Sequence, residues 1–153
     1  MARRILRAAL LAALSGALLA HADPAPDEDP ADPDYAAGRR AVETKDWPAA
    51  IRLLSSAALR DTRNPDIQNY LAYAYRNSGE LSLAFKHYSR ALQLDPRHRG
   101  AHEYLGEAYL MAGNLAKAEE HLGLLRKICL IPCAEYGHLE KRVAEFRNRP
   151  RGQ

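Results

Sequence analysis

The sequence predicts an all-α fold, a helix-turn-helix repeat solenoid of three repeats followed by a C-terminal capping helix. Three observations predict it. Similar residues recur at a spacing of 34, apolar residues recur at helical spacing within each unit, and glycine or proline interrupts the helical runs at matching places. With 153 residues, 47% hydrophobic and 27% charged, the chain suits one such domain. Its composition excludes a wholly disordered chain, and 2 Cys exclude a densely disulfide-bonded one.

The first 22 residues are predicted to be a secretory signal peptide. Three arginines within residues 3–7 precede an uncharged apolar run over residues 8–20, and Ala-His-Ala at residues 20–22 has the pattern of a cleavage site. An uncleaved membrane anchor is the alternative, but the apolar run spans only about 20 Å as a helix, short of the roughly 30 Å hydrocarbon core. We therefore expect a periplasmic protein of a Gram-negative bacterium, without a stable membrane anchor after cleavage.

An acidic, proline-rich leader is predicted over residues 23–34. It contains six acidic residues, four prolines and no basic residue, so we expect an extended, disordered segment. Cleavage of the signal peptide removes three arginines, which lowers the formal net charge from +3 to zero and leaves residues 35–153 at +6. This positive charge is spread over predicted helices without a basic aromatic motif, so the sequence does not favour nucleic-acid binding.

Each repeat unit is predicted to be two helices joined by a turn. In the second unit, apolar residues recur at helical spacing from Ile67 to Tyr75, and Gly79 fits the left-handed residue beyond a helix end. A second apolar run over residues 81–92 ends before Pro96. Small residues at matching positions of both helices would let the two backbones approach closely, and large residues would fill the surrounding space.

The second and third units share one pattern of large and small residues. It consists of Leu71, Ala72, Tyr75, Ala84, Tyr88, Ala91 and Pro96 in the second unit, and Leu105, Gly106, Tyr109, Ala118 and Leu122 in the third. This pattern resembles the tetratricopeptide repeat (TPR). The repeats then cover about residues 31–64, 65–98 and 99–132, and the first is degenerate because Ala41 replaces the tyrosine.

A capping helix is predicted over residues 134–147. Leu139, Val143 and Phe146 form an apolar stripe there, with charged residues opposite, as expected of a helix that closes the open end of a repeat stack. Residues 35–147 would then form the TPR domain, and residues 148–153 a frayed tail.

The resemblance implies a concave groove, lined mainly by the first helix of each repeat, that binds a partner protein or an extended peptide. Tyrosine and arginine anchor interfaces well, and asparagine can bond a peptide backbone. An ordinary half-buried helix surface is the alternative. Glu103 and Glu107, one helical turn apart, would favour a cationic partner. The candidate binding residues are Tyr35, Arg39, Asn69, Tyr70, Tyr73, Arg76, Asn77, Glu103, Tyr104 and Glu107.

Cys129 and Cys133 lie between the third repeat and the predicted capping helix. In an exported protein such a pair is most simply a structural disulfide, and Pro132 interrupts helical geometry between them. A redox role is an alternative, although the spacing is C-x-x-x-C and not C-x-x-C. A metal site with His138 is another alternative, although no fourth ligand is evident.

The sequence lacks the familiar catalytic motifs. It has no G-x-S-x-G, phosphate-loop, H-E-x-x-H or dinucleotide-binding pattern, so we expect no catalytic residue, no metal site and no cofactor. The predicted function is a non-catalytic periplasmic adaptor or scaffold. The alternative is a small thiol or metal-handling protein that acts through Cys129 and Cys133 in envelope redox chemistry or metallocofactor assembly.

Overall fold

The computed structural model describes residues 32–149, and within this range the chain forms seven α-helices and no strand. The all-α repeat fold is confirmed. The predicted signal peptide, leader residues 23–31 and tail residues 150–153 lie outside the described range. The helices are α1 (Pro33–Glu43), α2 (Trp47–Arg60), α3 (Pro65–Asn77), α4 (Leu81–Leu94), α5 (Arg99–Met111), α6 (Leu115–Ile128) and α7 (Ala134–Arg147).

The helices form three hairpins and a closing helix. Helices α1 and α2, α3 and α4, and α5 and α6 pack as pairs, and α7 packs against α5 and α6. The turn inside each pair contains one left-handed residue at the same repeat position, which is Lys45, Gly79 or Gly113. The prediction for Gly79 is confirmed by its φ of 91°. Lys45 adopts this conformation at a cost of about 1 kcal/mol, which glycine would avoid.

The acidic leader ends earlier than predicted. Helix α1 begins at Pro33, and the Asp32 carboxylate accepts hydrogen bonds from the amides of Asp34 and Tyr35 at 2.9 and 3.1 Å. Arg60 of α2 donates to both Asp32 and Asp34, and its hydrogen bonds lower the pKa of Asp32 to about 2. Proline is compatible with the first turn of a helix, so residues 32–34 are a helix start and not extended leader.

The core is a ladder of buried small and large side chains that runs from one hairpin to the next. Each cluster combines alanines, which allow close helix contact, with leucine or tyrosine, which fills the adjacent space. Buried members are Ala50, Leu54 and Leu71 in the first cluster, Ala72, Ala84, Tyr88 and Leu105 in the second, and Ala118, Leu125, Leu139 and Val143 in the third.

Helix α7 keeps the buried apolar position of the repeat but not its small residue. Leu139 lies 34 residues after Leu105 and is fully buried, and Val143 is buried on the same stripe. At the next position, however, Glu140 stands where the earlier repeats have Gly38, Ala72 and Gly106. Glu140 is exposed and accepts a hydrogen bond from the Tyr136 hydroxyl at 2.7 Å. A charged side chain at the close-approach position prevents another hairpin from packing there as the earlier ones do.

The docking of α7 requires a bare backbone at Gly106. A Cβ atom on Gly106 would lie 2.6 Å from Cδ2 of Leu139, which is closer than carbon atoms pack. Leu139 has no exposed surface and little freedom to move aside. Gly123 on α6 offers a contrast, because a Cβ there would meet nothing within 4 Å.

A polar contact between the two helices recurs in the second and third repeats. Gln68 Oε1 lies 2.8 Å from Nδ1 of His87, and 34 residues later Nδ1 of His102 lies 2.9 Å from Nδ1 of His121. His102 Nε2 donates to the Pro96 carbonyl, so His102 Nδ1 accepts the hydrogen bond and His121 donates it. This arrangement requires a neutral His102, because a protonated His102 could not accept a hydrogen bond at Nδ1.

We predict opposite effects of alanine at the two contrasting glycines. Gly123→Ala should raise the free energy of unfolding by roughly 0.5–1 kcal/mol, because alanine favours the helix and meets no neighbour. Gly106→Ala should lower it by about 1 kcal/mol, because the clash with Leu139 outweighs the helix preference. Urea unfolding measures both values. Equal stabilisation by the two variants would contradict the packing argument.

We also predict that acid destabilises the fold through the buried histidine pair. Burial lowers the pKa of His121 to about 4, with His102 adding to the effect, and burial likewise lowers the pKa of His102. Unfolded histidines titrate near 6.5, so the stability that the pair contributes is complete above that pH and is lost as pH falls towards 4. Lys117 and His98 reinforce the shifts, whereas Glu120 and Asp95 oppose them.

Thermal unfolding followed between about pH 7 and pH 5 measures this dependence. His102→Gln is the matched variant, because it copies the Gln68–His87 contact of the second repeat. Its melting temperature should fall less steeply with pH than that of the wild type. An unchanged slope would show that another group causes the loss.

Candidate functional site

Aromatic rings from successive repeats form a continuous layer on the concave side. Tyr35 of α1 and Tyr70 of α3 meet edge to face with centroids 6.0 Å apart. Tyr73 of α3 lies 4.8 Å from Tyr104 of α5 and 6.1 Å from Trp47 at the start of α2. The structure therefore brings together four of the predicted tyrosines. Burial raises the pKa of Tyr104 to about 12.

Two predicted arginines cover this layer in different ways. The Arg39 guanidinium lies 5.8 and 5.4 Å from the ring centres of Tyr35 and Tyr70, and the residue is exposed. Arg76 lies 4.9 Å from the Tyr73 centre but is only 7% exposed. It donates to the Tyr104 carbonyl and forms an ion pair with Glu107. Arg39 is therefore open to a ligand, whereas Arg76 holds α3 against α5.

The two groove carboxylates have polar or basic partners within the chain. Glu107 pairs with Arg76 and lies 3.8 Å from Nε of Arg142 on α7. Glu103 is buried and lies 3.1 Å from Nδ1 of His138. Burial raises the pKa of Glu103, and the His138 hydrogen bond opposes that rise. The expectation that these carboxylates favour a cationic partner needs correction, because Glu107 already pairs with Arg76 and Glu103 is buried with His138 as its hydrogen-bond partner.

The two predicted asparagines differ in exposure, because Asn69 is buried and Asn77 is exposed. Asn69 is only 4% exposed and lies beside the start of α5, where a Cβ on Gly100 would be 3.4 Å from Asn69 Nδ2. The Asn77 side chain donates to the Tyr73 carbonyl of its own helix at 2.8 Å. Asn69 therefore belongs to the contact between helices, and Asn77 to the end of α3.

An open cavity of about 260 Å³ is lined in part by the aromatic layer. Sequence reasoning missed part of its lining because that reasoning placed the groove on the first helix of each repeat, whereas these residues flank the turn between α1 and α2. One signal was available, since Trp47 occupies the position of Leu81 and Leu115 in the later repeats. The lining residues are Val42, Glu43, Lys45, Trp47, Tyr70, Tyr73 and Tyr104.

The two cysteines flank the loop between α6 and α7. Their Sγ atoms are at bonding distance and their Cα atoms are 5.8 Å apart. His138 hydrogen-bonds Glu103, and within residues 32–149 no three His, Cys, Asp or Glu side chains are grouped so as to hold a metal ion. The structure thus does not bring His138 into a ligand set with Cys129 and Cys133.

Among the helices of the described range, none combines the length and the apolar character needed to span a bilayer.

Comparison with family profiles identifies two matches, both described as tetratricopeptide repeat. One covers residues 35–99 and the other residues 78–128. Together they span α1 to α6. No curated protein matches the sequence.

Several solved structures share this architecture at low sequence identity. One is the Yersinia enterocolitica type III secretion chaperone SycD in complex with a peptide of the translocator YopD, with TM-score 0.65 and 20% identity over 74% of this chain and 86% of that one. Another is the first TPR of Spaghetti (RPAP3) bound to the HSP90 peptide SRMEEVD, with TM-score 0.66 and 16% identity over 73% and 88%. The TPR2B domain of yeast Sti1 with pHsp70 has TM-score 0.66 and 18% identity over 76% and 91%.

Proposed function

Because the chain belongs to the tetratricopeptide repeat family, we propose that it is a non-catalytic periplasmic adaptor that binds an extended segment of a partner protein in its concave groove. The observation that carries the proposal is the open cavity walled by Trp47, Tyr73 and Tyr104. Aromatic walls offer a large contact area at a low cost in side-chain entropy. Similar folds bind peptides, in SycD with YopD and in RPAP3 with HSP90, which supports a partner of this class.

The shape and chemistry of the cavity favour an apolar side chain of the partner. Its walls are mostly aromatic, whereas Glu43 and Lys45 place opposite charges at its edge. Arg39, farther along the layer, is an exposed cation that can bond a peptide carbonyl or carboxylate. A strongly acidic peptide is disfavoured, because Glu107 already pairs with the Arg76 guanidinium.

The periplasmic location rests on the sequence pattern of residues 1–22, in which arginines, an apolar run and a small-residue cleavage site follow one another. Fractionation of the native cells tests the periplasmic location, and the N-terminal sequence of the purified protein tests cleavage after residue 22.

A disulfide between Cys129 and Cys133 would suit that compartment, and we include it in the proposal. It would connect the end of α6 to the start of α7 and limit the positions available to the capping helix. The placement of His138 on Glu103 favours this structural role over metal binding.

We predict that partner peptides change the fluorescence of Trp47 on binding. The chain has 1 Trp, and it lines the cavity, so its emission reports occupancy directly. Peptides are taken from proteins that co-purify with the native adaptor. Tyr73→Ala should weaken their binding about tenfold by removing a wall of the cavity. Titration of each peptide against the wild type and the variant measures the change.

Leu59→Ala is the control, because Leu59 is 82% exposed and lies outside the cavity lining. It should bind like the wild type, and both variants should keep their far-ultraviolet circular dichroism. Arg76→Ala is unsuitable, because it would strand the Glu107 carboxylate. Equal binding by Tyr73→Ala and the wild type would place the site elsewhere.

We predict that alkylating reagents leave both cysteines of the purified native protein unmodified until a reductant is added. Reduction should then lower the free energy of unfolding by roughly 2 kcal/mol, because the linked ends of the loop regain freedom in the unfolded chain. Intact mass and thermal unfolding measure the two effects. Free thiols in the native protein, or unchanged melting after reduction, would refute the structural role.

A further inference from the structure

The three turns between consecutive repeats can be compared directly, because they occupy equivalent positions. In the turns over residues 61–64 and 95–98, Asp61 and Asp95 accept hydrogen bonds from backbone amides two residues later, at 3.1 and 2.8 Å. Each of these turns then ends in a side chain that caps the next helix, Asn64 or His98. Polar turn chemistry of this kind is what a solvent-facing connection requires.

The third connection, residues 129–133, departs from this pattern. Cys129 stands in the place of the aspartate, and Cys133 provides no side-chain cap to α7. Between them, Leu130 is 96% exposed and Ile131 is 79% exposed. Two adjacent aliphatic side chains thus project into solvent from a loop whose two ends are held close together, and nothing within residues 32–149 covers them. We call residues 129–133 the apolar loop.

Basic residues lie beside the apolar loop, and Arg126 lines the same open cavity as Leu130. Arg126 and Lys127 occupy the last turn of α6, directly before Cys129. Arg97, from the preceding turn, donates to the Ile128 carbonyl at 3.5 Å. The nearby acidic residue Glu135 lies 3.7 Å from Arg99, which offsets its charge. The loop is therefore an apolar tip within a cationic rim.

We propose that the apolar loop docks on the surface of an anionic lipid bilayer. Leu130 and Ile131 enter the boundary between head groups and acyl chains, while Arg97, Arg126 and Lys127 meet the lipid phosphates. Exposed aliphatic residues combined with cations are the two contributions that peripheral membrane binding needs. Two inserted side chains give reversible attachment, which is compatible with the absence of a membrane-spanning helix in the described range.

The cationic rim distinguishes this occupant from a second copy of the chain. A symmetric contact between two apolar loops would bring Arg126 and Lys127 of both copies together, and like charges repel. A bilayer also adapts to a projecting tip without a preformed socket. No residue lines both the aromatic cavity and the open cavity of about 330 Å³ beside the loop, so a membrane-docked protein can still bind a peptide.

Vesicle flotation tests the proposal with the chain from Asp23 onward, so that residues 1–22 cannot bind lipid themselves. We expect binding to phosphatidylcholine vesicles with about one-quarter phosphatidylglycerol and none to phosphatidylcholine alone. Binding should weaken between about 0.15 M and 1 M salt. Leu130→Ser/Ile131→Ser should reduce affinity at least about tenfold. Leu59→Ser, which changes an equally exposed leucine on α2, should bind like the wild type.

Failure of the wild type to float with anionic vesicles would overturn the proposal, as would equal flotation of the loop variant. The proposal would also be overturned if the wild type bound vesicles equally well with and without phosphatidylglycerol. This comparison does not require any variant to fold. The loop would be a protein interface if vesicles bound neither the wild type nor Leu130→Ser/Ile131→Ser and one further difference appeared. That difference is that the wild type forms dimers in sedimentation, or captures a protein partner, and the variant does not. None of these results bears on the peptide groove, which Trp47 fluorescence reports separately.

Discussion

Close approach of helix backbones at one repeat position is the constraint on which this structure depends. Gly38, Ala72 and Gly106 lie 34 residues apart. A Cβ atom would lie 2.7 Å from Leu54 at Gly38 and 2.6 Å from Leu139 at Gly106, and Ala72 is fully buried. The same position decides how the stack ends. Gly106 admits Leu139 of the capping helix, whereas Glu140, one repeat later, admits no comparable neighbour. One small residue per repeat thus sets both the packing and the length of the solenoid.

The capping helix also determines the charge of the groove. Arg142 of α7 approaches Glu107 and offsets its charge, and His138 of α7 forms a hydrogen bond with the buried Glu103. Arg76 pairs with Glu107 and is not free to bind a ligand. Arg39 remains as an exposed guanidinium over the Tyr70 ring. Peptide recognition in the proposed function therefore depends on apolar contact in the cavity, because most of the charged groups in the groove already have partners.

The repeat architecture was predictable because it depends on local spacing. Gly79 can end a helix because glycine readily adopts a left-handed backbone conformation. The apolar stripe of Leu139, Val143 and Phe146 indicates a buried helix face, whichever helix it packs against. The predicted leader extends too far because it includes Pro33 in a disordered, proline-rich segment, whereas the Asp32 cap makes Pro33 a first-turn residue of α1. The structure brings the predicted tyrosines of the groove close together, and their role in binding stays a prediction.

The sequence by itself determined that this protein is three helical hairpins with a cap, because the period of 34 and the positions of small residues are properties of the chain order. Only the tertiary structure decided which predicted groove residues are open. Arg39 and Arg76 are both predicted groove residues on the first helix of a repeat, yet one is exposed and the other is held by Glu107 from the next repeat. Trp47 joins the cavity from the turn between two helices. Such partnerships join residues far apart in the chain, and a pattern within one helix carries no information about what the neighbouring helix presents.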